Sequence, residues 1–365
     1  MLDSVFVDGY WETNLGDDLF LYIIAKKYSR INFFITSTRD NYRVFNNIKN
    51  INLIEQKRTP IRRFLNSMSR GVKCPLVGSI YSKSIELSKR YPAYLELGGS
   101  LFILPKNGDL DVNYKKRTII SKHTDKYVIM GSNFGPYFSN KQLKAYRKLF
   151  TSVKGVSFRD KASYNLFSDI ESVSYYPDVV FNLNVEESQI KSKNYTLFSV
   201  INTDKYGKDV DAKYTQFVID QVKKEILSGN SVVIMSFCVS EGDTTKAKEI
   251  LRKMSKWQDD ITIMEHSDIE ESLSVIKNAK KIFATRYHAM ILGWLFNKPT
   301  FVVSYSSKTE NVIKTYNPEQ PYRKIREIKR NDEVEYYRIE KSRLILLREQ
   351  AKKHFNVFDK VVLRK

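Results

Sequence analysis

Residues Lys281–Ile313 read KIFATRYHAMILGWLFNKPTFVVSYSSKTENVI, and this stretch decides the fold of the chain. Two short apolar runs, at 281–284 and 300–305, flank a segment at 289–296 whose apolar residues recur at helical spacing. The Asn-Lys-Pro tripeptide at 297–299 is a typical helix stop. The order of strand, helix and strand predicts one βαβ unit of a parallel sheet.

Polar residues cluster where the first of these strands meets the helix. Arg286 and His288 occupy that turn, and further polar side chains follow the next strand: Ser304, Tyr305, Lys308 and Glu310. Open α/β sheets bind ligands outside the carboxyl ends of their strands, and helix N termini attract anions. We therefore predict an anion site in which Arg286 binds a carboxylate or phosphate and His288 donates a hydrogen bond or a proton. The structural alternative is a capping Arg and a packed His.

The same alternation of strands and helices extends over most of the chain. Predicted strands lie at 3–8, 32–36, 51–54, 94–97, 127–130, 155–158, 195–201, 231–237 and 261–264. A polar segment at 186–193 is a predicted linker. We predict an α/β protein of two Rossmann-like domains facing a cleft, the architecture called GT-B-like in glycosyltransferases. The N-terminal domain spans 1–187, the C-terminal domain 194–325, and a helical tail 326–365.

The chain is strongly basic. Its 365 residues carry 61 Lys and Arg against 41 Asp and Glu, a formal net charge of +20. This charge favours an anionic partner, such as a nucleic acid, an anionic lipid or a phosphorylated metabolite. Because polar residues concentrate at strand-to-helix turns instead of alternating with aromatic residues in a basic patch, we predict a small-ligand cleft and no nucleic-acid partner.

Several other classes are excluded by missing patterns. Cys74 and Cys238 stand far apart without ligands at metal spacing, so neither a disulfide framework nor a metal site is predicted. Residues 2–7 form a predicted strand and lack the parts of a signal peptide, and no apolar run approaches the roughly 18 residues of a membrane span. The phosphate-loop, dinucleotide and zinc-protease motifs are missing too. We therefore expect a cytoplasmic protein.

Residues 57–90 are the most basic stretch and form a predicted insertion. Nine basic residues stand against the single acid Glu86: Lys57, Arg58, Arg62, Arg63, Arg70, Lys73, Lys83, Lys89 and Arg90. Apolar residues recur there at helical spacing: Ile61, Phe64, Leu65 and Met68. One interpretation is a solvated helix that packs on the domain. The other is a helix that lies on an anionic membrane surface and holds the protein at the inner face of the plasma membrane.

Polar or glycine-rich turns also follow the earlier strands. The loop Asn14-Leu15-Gly16-Asp17-Asp18 precedes a helix predicted at 19–28, where Asn14 or Asp17 caps the helix or the carboxylates accept protons from hydroxyl groups. The strand at 94–97 ends in a glycine pair that includes Gly99.

Two more turns are candidate anion sites. The loop 131–136, Gly-Ser-Asn-Phe-Gly-Pro, is expected to present backbone N–H groups to phosphate or carboxylate. Arg159 follows the strand at 155–158 and is a second candidate anion ligand; its structural alternative is an ion pair with Asp160 or Asp178.

Taken in order, these segments resemble the polysaccharide pyruvyltransferase family. The matching segments are NLGDD at 14–18, GG at 98–99, GSNFGP at 131–136, SFRDKAS at 157–163, YPDV at 176–179, RYH at 286–288 and SYSSK at 304–308. Asp18 stands where the family usually has Glu. The resemblance implies transfer of the pyruvyl group of phosphoenolpyruvate onto a sugar of a cell-surface polysaccharide, such as an exopolysaccharide, or of its lipid-linked precursor. A cyclic pyruvate ketal forms and phosphate is released. It implies no cofactor besides this co-substrate.

The resemblance also assigns expected roles to residues. The expected donor site comprises Arg159, Arg286, His288, Gly131, Ser132, Asn133, Tyr305 and Lys308. The expected acceptor site comprises Asn14, Asp17, Asp18 and Gly99, and the expected catalytic residues are His288, Asp17 and Arg286. Phosphoenolpyruvate carries both a phosphate and a carboxylate, so at least two cationic side chains are needed.

A nucleotide-sugar glycosyltransferase of the same architecture is the alternative function, because fold does not determine reaction. The remaining histidines, His123, His266 and His354, are predicted to be surface or capping residues.

Overall fold

The computed structural model describes residues 3–185, 193–330 and 332–364. The chain divides into two compact units. Unit 1 consists of Met1–Trp11, Phe20–Val179 and Glu349–Lys365, and unit 2 of Glu12–Leu19 and Val180–Arg348. The chain therefore enters unit 2 briefly near its start and returns to unit 1 at its end, a feature that the predicted ranges do not contain. The predicted linker at 186–193 falls, except for Lys193, outside the described residues.

Unit 1 is built on a parallel sheet. Its strands, within the described residues, are β1 (Ser4–Asp8), β2 (Asn32–Ser37), β3 (Ile51–Glu55), β4 (Tyr94–Leu97), β5 (Tyr127–Ser132), β6 (Gly155–Phe158) and β7 (Val173–Tyr175). Its helices are α1 (Leu15–Lys27), whose first turn belongs to unit 2, α2 (Arg39–Tyr42), α3 (Pro60–Gly71), α4 (Ile80–Arg90), α5 (Val112–Ile120), α6 (Asn140–Ser152) and α7 (Lys161–Asn165). The strand order is β3-β2-β1-β4-β5-β6-β7.

Unit 2 repeats this design. Its described strands are β8 (Tyr195–Ser199), β9 (Ser231–Ser236), β10 (Ile261–Glu265), β11 (Lys281–Ala284), β12 (Thr300–Ser304) and β13 (Tyr322–Lys324). Its helices are α8 (Lys208–Leu227), α9 (Asp243–Lys253), α10 (Ile269–Asn278), α11 (Tyr287–Leu295) and α12 (Ser307–Tyr316). Near the end of the chain lie α13 (Lys341–Ala351) and α14 (Lys353–Phe358), and a π-helical turn at Asp359–Leu363 follows. The strand order is β10-β9-β8-β11-β12-β13.

Both sheets are parallel and contain a point where the strand order reverses. In unit 1 this point lies between β1 and β4, and in unit 2 between β8 and β11. Strands β4, β5, β8 and β12 are buried along their whole length, as expected for a parallel sheet with helices on both faces. The predicted α/β class with parallel sheets is confirmed. The turns at the reversal points are the places where such sheets bind ligands.

Aromatic side chains fill both cores. In unit 1 the rings of Phe102 and Phe150 meet edge to face with centroids 5.4 Å apart. In unit 2 the rings of Phe198 and Phe283 stack at 5.0 Å across neighbouring strands. Each unit therefore has a hydrophobic core of its own, which is what a domain requires.

Helix α1 begins at Leu15, four residues before its predicted start. Asn14 accounts for the difference: its carbonyl accepts from the N–H of Asp18 at 2.9 Å and its side chain from the N–H of Gly16 at 3.2 Å. Asp17 and Asp18 consequently lie in the first turn of the helix instead of the loop. Acidic residues are favourable there because the N-terminal amides carry partial positive charge.

The end of the chain is tied into unit 1 by a buried histidine. His354, in α14, places Nδ1 2.8 Å from Ser157 Oγ and Nε2 2.9 Å from the carbonyl oxygen of Pro177. A carbonyl only accepts, so Nε2 carries the proton and Nδ1 accepts from the Ser157 hydroxyl. The prediction of a surface or capping His354 is therefore wrong. Burial lowers the pKa of His354 to about 4, even though Pro177 and Asp178 favour the charged form.

This burial predicts a loss of stability in mild acid. The pKa of His354 falls from an ordinary 6.5 to about 4 on folding, so the unfolded chain binds a proton first as the pH decreases. The contribution of neutral His354 to the free energy of unfolding is complete above pH 6.5 and is lost as the pH decreases from 6.5 to 4. Between pH 7 and pH 5 the free energy of unfolding decreases by about 2 kcal/mol from this residue.

Urea unfolding at these two pH values should show a loss of stability on acidification that is about 2 kcal/mol larger in the wild type than in His354→Gln. His123→Gln, which changes an exposed imidazole, is the matched control and should retain it. Equal pH dependence in wild type and His354→Gln would contradict the assignment.

Candidate functional site

The first turn of α1 is part of unit 2 because it docks against the end of β9. Asn14 forms an antiparallel bridge with Cys238, and the N–H of Leu15 donates to the carbonyl of Phe237 at 3.0 Å. Thr13 turns the chain into this position with a left-handed φ of 54°. The segment 12–19 thus joins the carboxyl edge of the unit 2 sheet, where the predicted anion site lies.

His288 lies directly against this turn. A Cβ atom added to Gly16 would lie 1.8 Å from His288 Nδ1, so only glycine leaves room for the imidazole. The ring is half-buried and meets the edge of the Tyr287 ring at 5.0 Å between centroids. Tertiary packing therefore brings the RYH segment and the NLGDD segment together, although they are far apart in sequence.

Asp18 forms a buried pair with His266. The distance from Asp18 Oδ2 to His266 Nε2 is 3.1 Å, and His266 Nδ1 lies 2.8 Å from Ser272 Oγ. All three side chains are buried. With Nε2–H donating to the carboxylate, Nδ1 accepts from the hydroxyl of Ser272. The prediction that His266 is a surface or capping residue is wrong.

The environment of Asp18 has opposing electrostatic effects. Burial raises its pKa to about 6, while the hydrogen bond and charge of His266 lower it. Asp17, one residue earlier, is half-buried and its charge raises the pKa of Asp18 further. Asp17 is consequently the more accessible acid of the pair, and Asp18 is held inside.

Arg286 is the N-cap residue of α11, and two carboxylates hold it. Its Nε donates to Asp243 Oδ2 at 2.8 Å and its Nη2 to the other oxygen of Asp243. Asp243 is buried and also accepts from the backbone N–H groups of Phe237 and Cys238. The third contact runs from Nη1 to Glu241, whose side chain is 38% exposed. Asp243 thus fixes the guanidinium on its buried side, and Nη1 faces the partly exposed carboxylate of Glu241.

Tyrosines lie beside this pair. Burial raises the pKa of Tyr206 to about 12; Tyr305 and Glu241 raise it further, and the charges of Arg326 and Arg286 lower it. Tyr305 is half-buried, and Lys308 lies in the first turn of α12. Tyr305 and Lys308, two residues of the expected donor site, therefore follow β12 at the carboxyl edge of the unit 2 sheet.

Unit 1 has a comparable arrangement at its own carboxyl edge. Arg159 Nη1 donates to Asp178 Oδ2 at 2.9 Å, and Nη2 lies 3.3 Å from Asn133 Oδ1. A Cβ atom at Gly99 would lie 2.5 Å from Arg159 Nη1, so the guanidinium packs directly over that glycine. Of the two ion-pair alternatives for Arg159, the structure contains the pair with Asp178. Asp160 instead caps α7 through the N–H of Ser163 at 2.8 Å.

The backbone amides of loop 131–136 are used within the protein. The N–H groups of Asn133, Phe134 and Gly135 donate to Gly99 O, Ser163 Oγ and Phe102 O. Ser132 is buried, and its hydroxyl bonds the N–H of Leu101. The expectation of a loop presenting these three amides to a ligand is therefore wrong, because their donors are already satisfied.

The predicted site residues divide between the two units. Unit 2 contains Asn14, Asp17, Asp18, Arg286, His288, Tyr305 and Lys308, and unit 1 contains Gly99, Gly131, Ser132, Asn133 and Arg159. Sequence reasoning missed His266, Glu241 and Asp243. A usable signal was present for the last two, because Glu241 and Asp243 lie where a helix begins after a strand, as Arg286 does.

The described residues contain no group of three or more His, Cys, Asp or Glu side chains that could hold a metal ion. None of their helices is both long and apolar enough to cross a membrane. Cys238 is buried, and burial raises the pKa of its thiol to about 11, so the reactive thiolate form is disfavoured at neutral pH.

Comparison with known proteins gives a family match. The family model described as polysaccharide pyruvyl transferase matches residues 14–307. This range includes the turn that begins at Asn14 and the segment that contains Arg286 and His288. No curated protein matches the sequence.

Solved structures share the fold at low sequence identity. HepE from Anabaena, in complex with UDP and glucose, is 9% identical with a TM-score of 0.51 over 100% of this chain and 99% of that chain. MnaA from S. aureus, solved with UDP, is 13% identical with a TM-score of 0.52 over 98% of each chain. UDP-N-acetylglucosamine 2-epimerase from Rickettsia bellii is 11% identical with a TM-score of 0.50 over 100% of each. These neighbours have the GT-B fold, so the predicted GT-B-like architecture is confirmed at the level of fold.

The contact between Gly16 and His288 predicts a specific double-mutant result. Gly16→Ala should lower the free energy of unfolding by about 1–3 kcal/mol, because the new methyl group overlaps the imidazole. Adding His288→Ala should recover most of that loss, since the ring is the overlapped group. Urea unfolding measures both changes in the free energy of unfolding, and the NMR signals of the His288 ring report the overlap.

Gly71→Ala is the matched control, because a Cβ there meets nothing within 4 Å. It should change stability by less than about 1 kcal/mol. A double variant as unstable as Gly16→Ala alone would contradict the placement of His288.

Proposed function

Because the chain belongs to the polysaccharide pyruvyl transferase family, we propose that it moves the pyruvyl group of phosphoenolpyruvate onto a sugar of a cell-surface polysaccharide or its lipid-linked precursor. The observation that supports this proposal most directly is the position of His288. The imidazole lies against the first turn of α1, next to the acidic pair Asp17 and Asp18. A proton donor and a proton acceptor at one sheet edge suit a reaction that needs both.

The donor binds to Arg286. Asp243 holds two of its nitrogens from the buried side, which fixes the direction of the guanidinium. The remaining contact, from Nη1 to Glu241, lies at the surface, so an anionic ligand can replace the Glu241 carboxylate. Tyr305 and Lys308 supply further donors for the phosphate or carboxylate of phosphoenolpyruvate.

The reaction forms two C–O bonds and breaks one. A proton adds to the methylene carbon of phosphoenolpyruvate while one sugar hydroxyl attacks the adjacent carbon and gives up its proton. A second hydroxyl of the same sugar then displaces phosphate from that carbon and transfers its proton to the departing group. The products are a cyclic ketal, in which the methylene has become a methyl group, and inorganic phosphate.

The residues of unit 2 supply the proton transfers. His288, as imidazolium, protonates the methylene carbon or stabilises the departing phosphate, and Asp17 accepts the hydroxyl proton. Asp18 has an indirect role. Its buried pair with His266 fixes the first turn of α1, and therefore positions both Asp17 and the glycine beneath His288.

Other expected site residues lie in unit 1. Gly99, Asn133 and Arg159 meet at its carboxyl edge, and we assign the acceptor sugar to this edge. Arg159 reaches a donor anion only by releasing Asp178, so we assign it first to ordering this edge. We propose a cytoplasmic location at the inner membrane face, where lipid-linked precursors are made, with no cofactor besides phosphoenolpyruvate.

Phosphate release tests the reaction. Wild-type protein with phosphoenolpyruvate and a panel of methyl glycosides should release phosphate and add one pyruvate, less water, to an acceptor detected by mass spectrometry. His288→Ala should lower this rate by at least about 100-fold with an unchanged circular dichroism spectrum, because it removes the proton donor. His123→Ala, an exposed histidine of unit 1, is the control and should keep the wild-type rate.

The same assay distinguishes the glycosyltransferase alternative. That function predicts sugar transfer from a nucleotide sugar and no phosphate release from phosphoenolpyruvate. Full activity in His288→Ala would remove this residue from the mechanism but would leave the reaction itself supported.

The two carboxylates around Arg286 predict opposite effects on donor binding. Glu241→Gln should tighten phosphoenolpyruvate binding about threefold, because it removes a competing surface charge. Asp243→Asn should weaken binding at least about tenfold, because it releases the buried side of the guanidinium. Isothermal titration calorimetry measures both dissociation constants.

Glu249→Gln is the matched control, since Glu249 lies in the same helix, α9, and pairs with Lys246 and Lys253. It should leave binding unchanged. Weaker binding in Glu241→Gln would show that Glu241 does not occupy the anion position.

A further inference from the structure

Helix α3 presents its apolar residues to solvent. Within the segment 61–77 the large exposed hydrophobic side chains are Ile61 at 73%, Phe64 at 62%, Met68 at 42%, Val72 at 53% and Val77 at 91% exposure. We call this set the α3 face. Its first members recur three and four residues apart and continue one stripe of the helix. A contiguous exposed apolar surface of this kind usually marks an interaction site.

Polar residues hold the opposite side of α3 against unit 1. Ser69 is buried, and its hydroxyl accepts from the N–H of Leu76 at 3.1 Å. Asn66 Oδ1 accepts from the N–H of Ile80, the first residue of α4, at 2.8 Å. These bonds fix the rotation of the helix about its axis. Helix α3 thus packs on the domain through Asn66, Ser69 and the half-buried Leu65, while the α3 face points to solvent.

Exposed basic residues occur in the same segment as the α3 face. Arg58, Arg63 and Arg70 are exposed, and residues 57–85 contain no Asp or Glu. An apolar stripe on a helix that also carries exposed arginines and no acidic residue is complementary to the interface of an anionic bilayer. The apolar side chains enter the acyl boundary there, and the guanidinium groups contact headgroup phosphates. A second copy of this chain fits poorly, because the same arginines would repel across the contact.

A salt bridge locates this surface relative to the unit 1 sheet. Lys73 Nζ lies 2.6 Å from Asp109, in the loop that follows β4, and Lys141 Nζ binds the other oxygen of Asp109 at 3.0 Å. The loops after β4 and β5 also carry exposed hydrophobic residues: Ile103, Tyr137 and Phe138. The α3 face therefore borders the carboxyl edge of the sheet, the edge that carries Gly99 and Arg159.

We propose that the α3 face, with Arg58, Arg63 and Arg70, is a docking surface for an anionic lipid bilayer. The helix lies in the interfacial plane with Phe64 and Met68 inserted. The carboxyl edge of the unit 1 sheet is then close to the membrane surface. This inference does not depend on which group the protein transfers, because it concerns binding to lipid alone.

Vesicle co-sedimentation without any substrate tests the proposal. The full chain should bind vesicles of phosphatidylcholine mixed with phosphatidylglycerol, and should bind pure phosphatidylcholine vesicles at least about tenfold more weakly. Phe64→Ser combined with Met68→Ser should lower partitioning at least about tenfold, because the inserted side chains are lost. Arg63→Glu combined with Arg70→Glu should do the same by reversing the charge.

Matched controls come from unit 2. Ile345→Ser combined with Leu346→Ser changes two side chains of α13 that are 62% and 54% exposed, and Lys224→Glu combined with Lys248→Glu reverses two exposed lysines. Both controls should bind like the wild type. Circular dichroism should show all variants folded, since the altered side chains face solvent.

Three outcomes would overturn the proposal. The first is wild-type binding in the α3 variants, and the second is an equal loss in the unit 2 controls. The third is a wild-type chain that does not bind anionic vesicles. If this chain forms a dimer in analytical ultracentrifugation, and Phe64→Ser with Met68→Ser dissociates it, the face joins two copies instead. A failure of phosphate release with intact vesicle binding would affect only the proposed reaction.

Discussion

A carboxylate buried in a protein is stable only when a cation or several hydrogen-bond donors lie beside it. The carboxyl edges of both sheets are organised by this constraint. Asp243 binds Arg286, Asp178 binds Arg159, and Asp18 binds His266. Each pair joins a residue in a strand-to-helix turn to a residue of another element. The buried acids therefore determine where the basic groups point, and the basic groups determine where a ligand can bind.

The same pairs separate fixed groups from exchangeable ones. The Asp243 side of Arg286 is buried and cannot be replaced without leaving a charge unpaired, whereas the Glu241 side is exposed. Arg159 lacks this asymmetry in its ion pair, because both it and Asp178 are buried. For this reason the two arginines, which look equivalent in the sequence, are suited to different tasks: Arg286 to binding an anion and Arg159 to holding a sheet edge together.

The α3 face is arranged in the opposite way. There the polar residues Asn66 and Ser69 face the protein and the apolar residues face outward. A water-exposed Phe64 gains nothing from the fold itself, so its energetic value depends on what covers it. Its place beside the carboxyl edge of unit 1 links the proposed membrane contact with the region where the acceptor sugar is proposed to bind.

Local patterns were sufficient to predict most elements, and the failures have identifiable causes. The strand and helix signals around Arg286 and His288 are strong because apolar runs, a helix stop and turn residues agree. Helix α4 was missed because its buried face includes the small polar side chains of Ser84 and Ser88, which give no hydrophobic period. The early start of α1 was missed because the bonds of Asn14 with Gly16 and Asp18 resemble a simple loop in sequence.

The sequence by itself determined the two parallel sheets and the edge at which the polar residues lie, since all strands of a parallel sheet end on the same side. Only the tertiary structure decided which of those residues bind one another. Asp18 and His266 are 248 residues apart, and Arg286 and Asp243 are 43 apart. Periodicity reports which face of an element is apolar. It carries no information about the partner across a turn, because that partner is chosen by packing and by the cost of an unpaired buried charge.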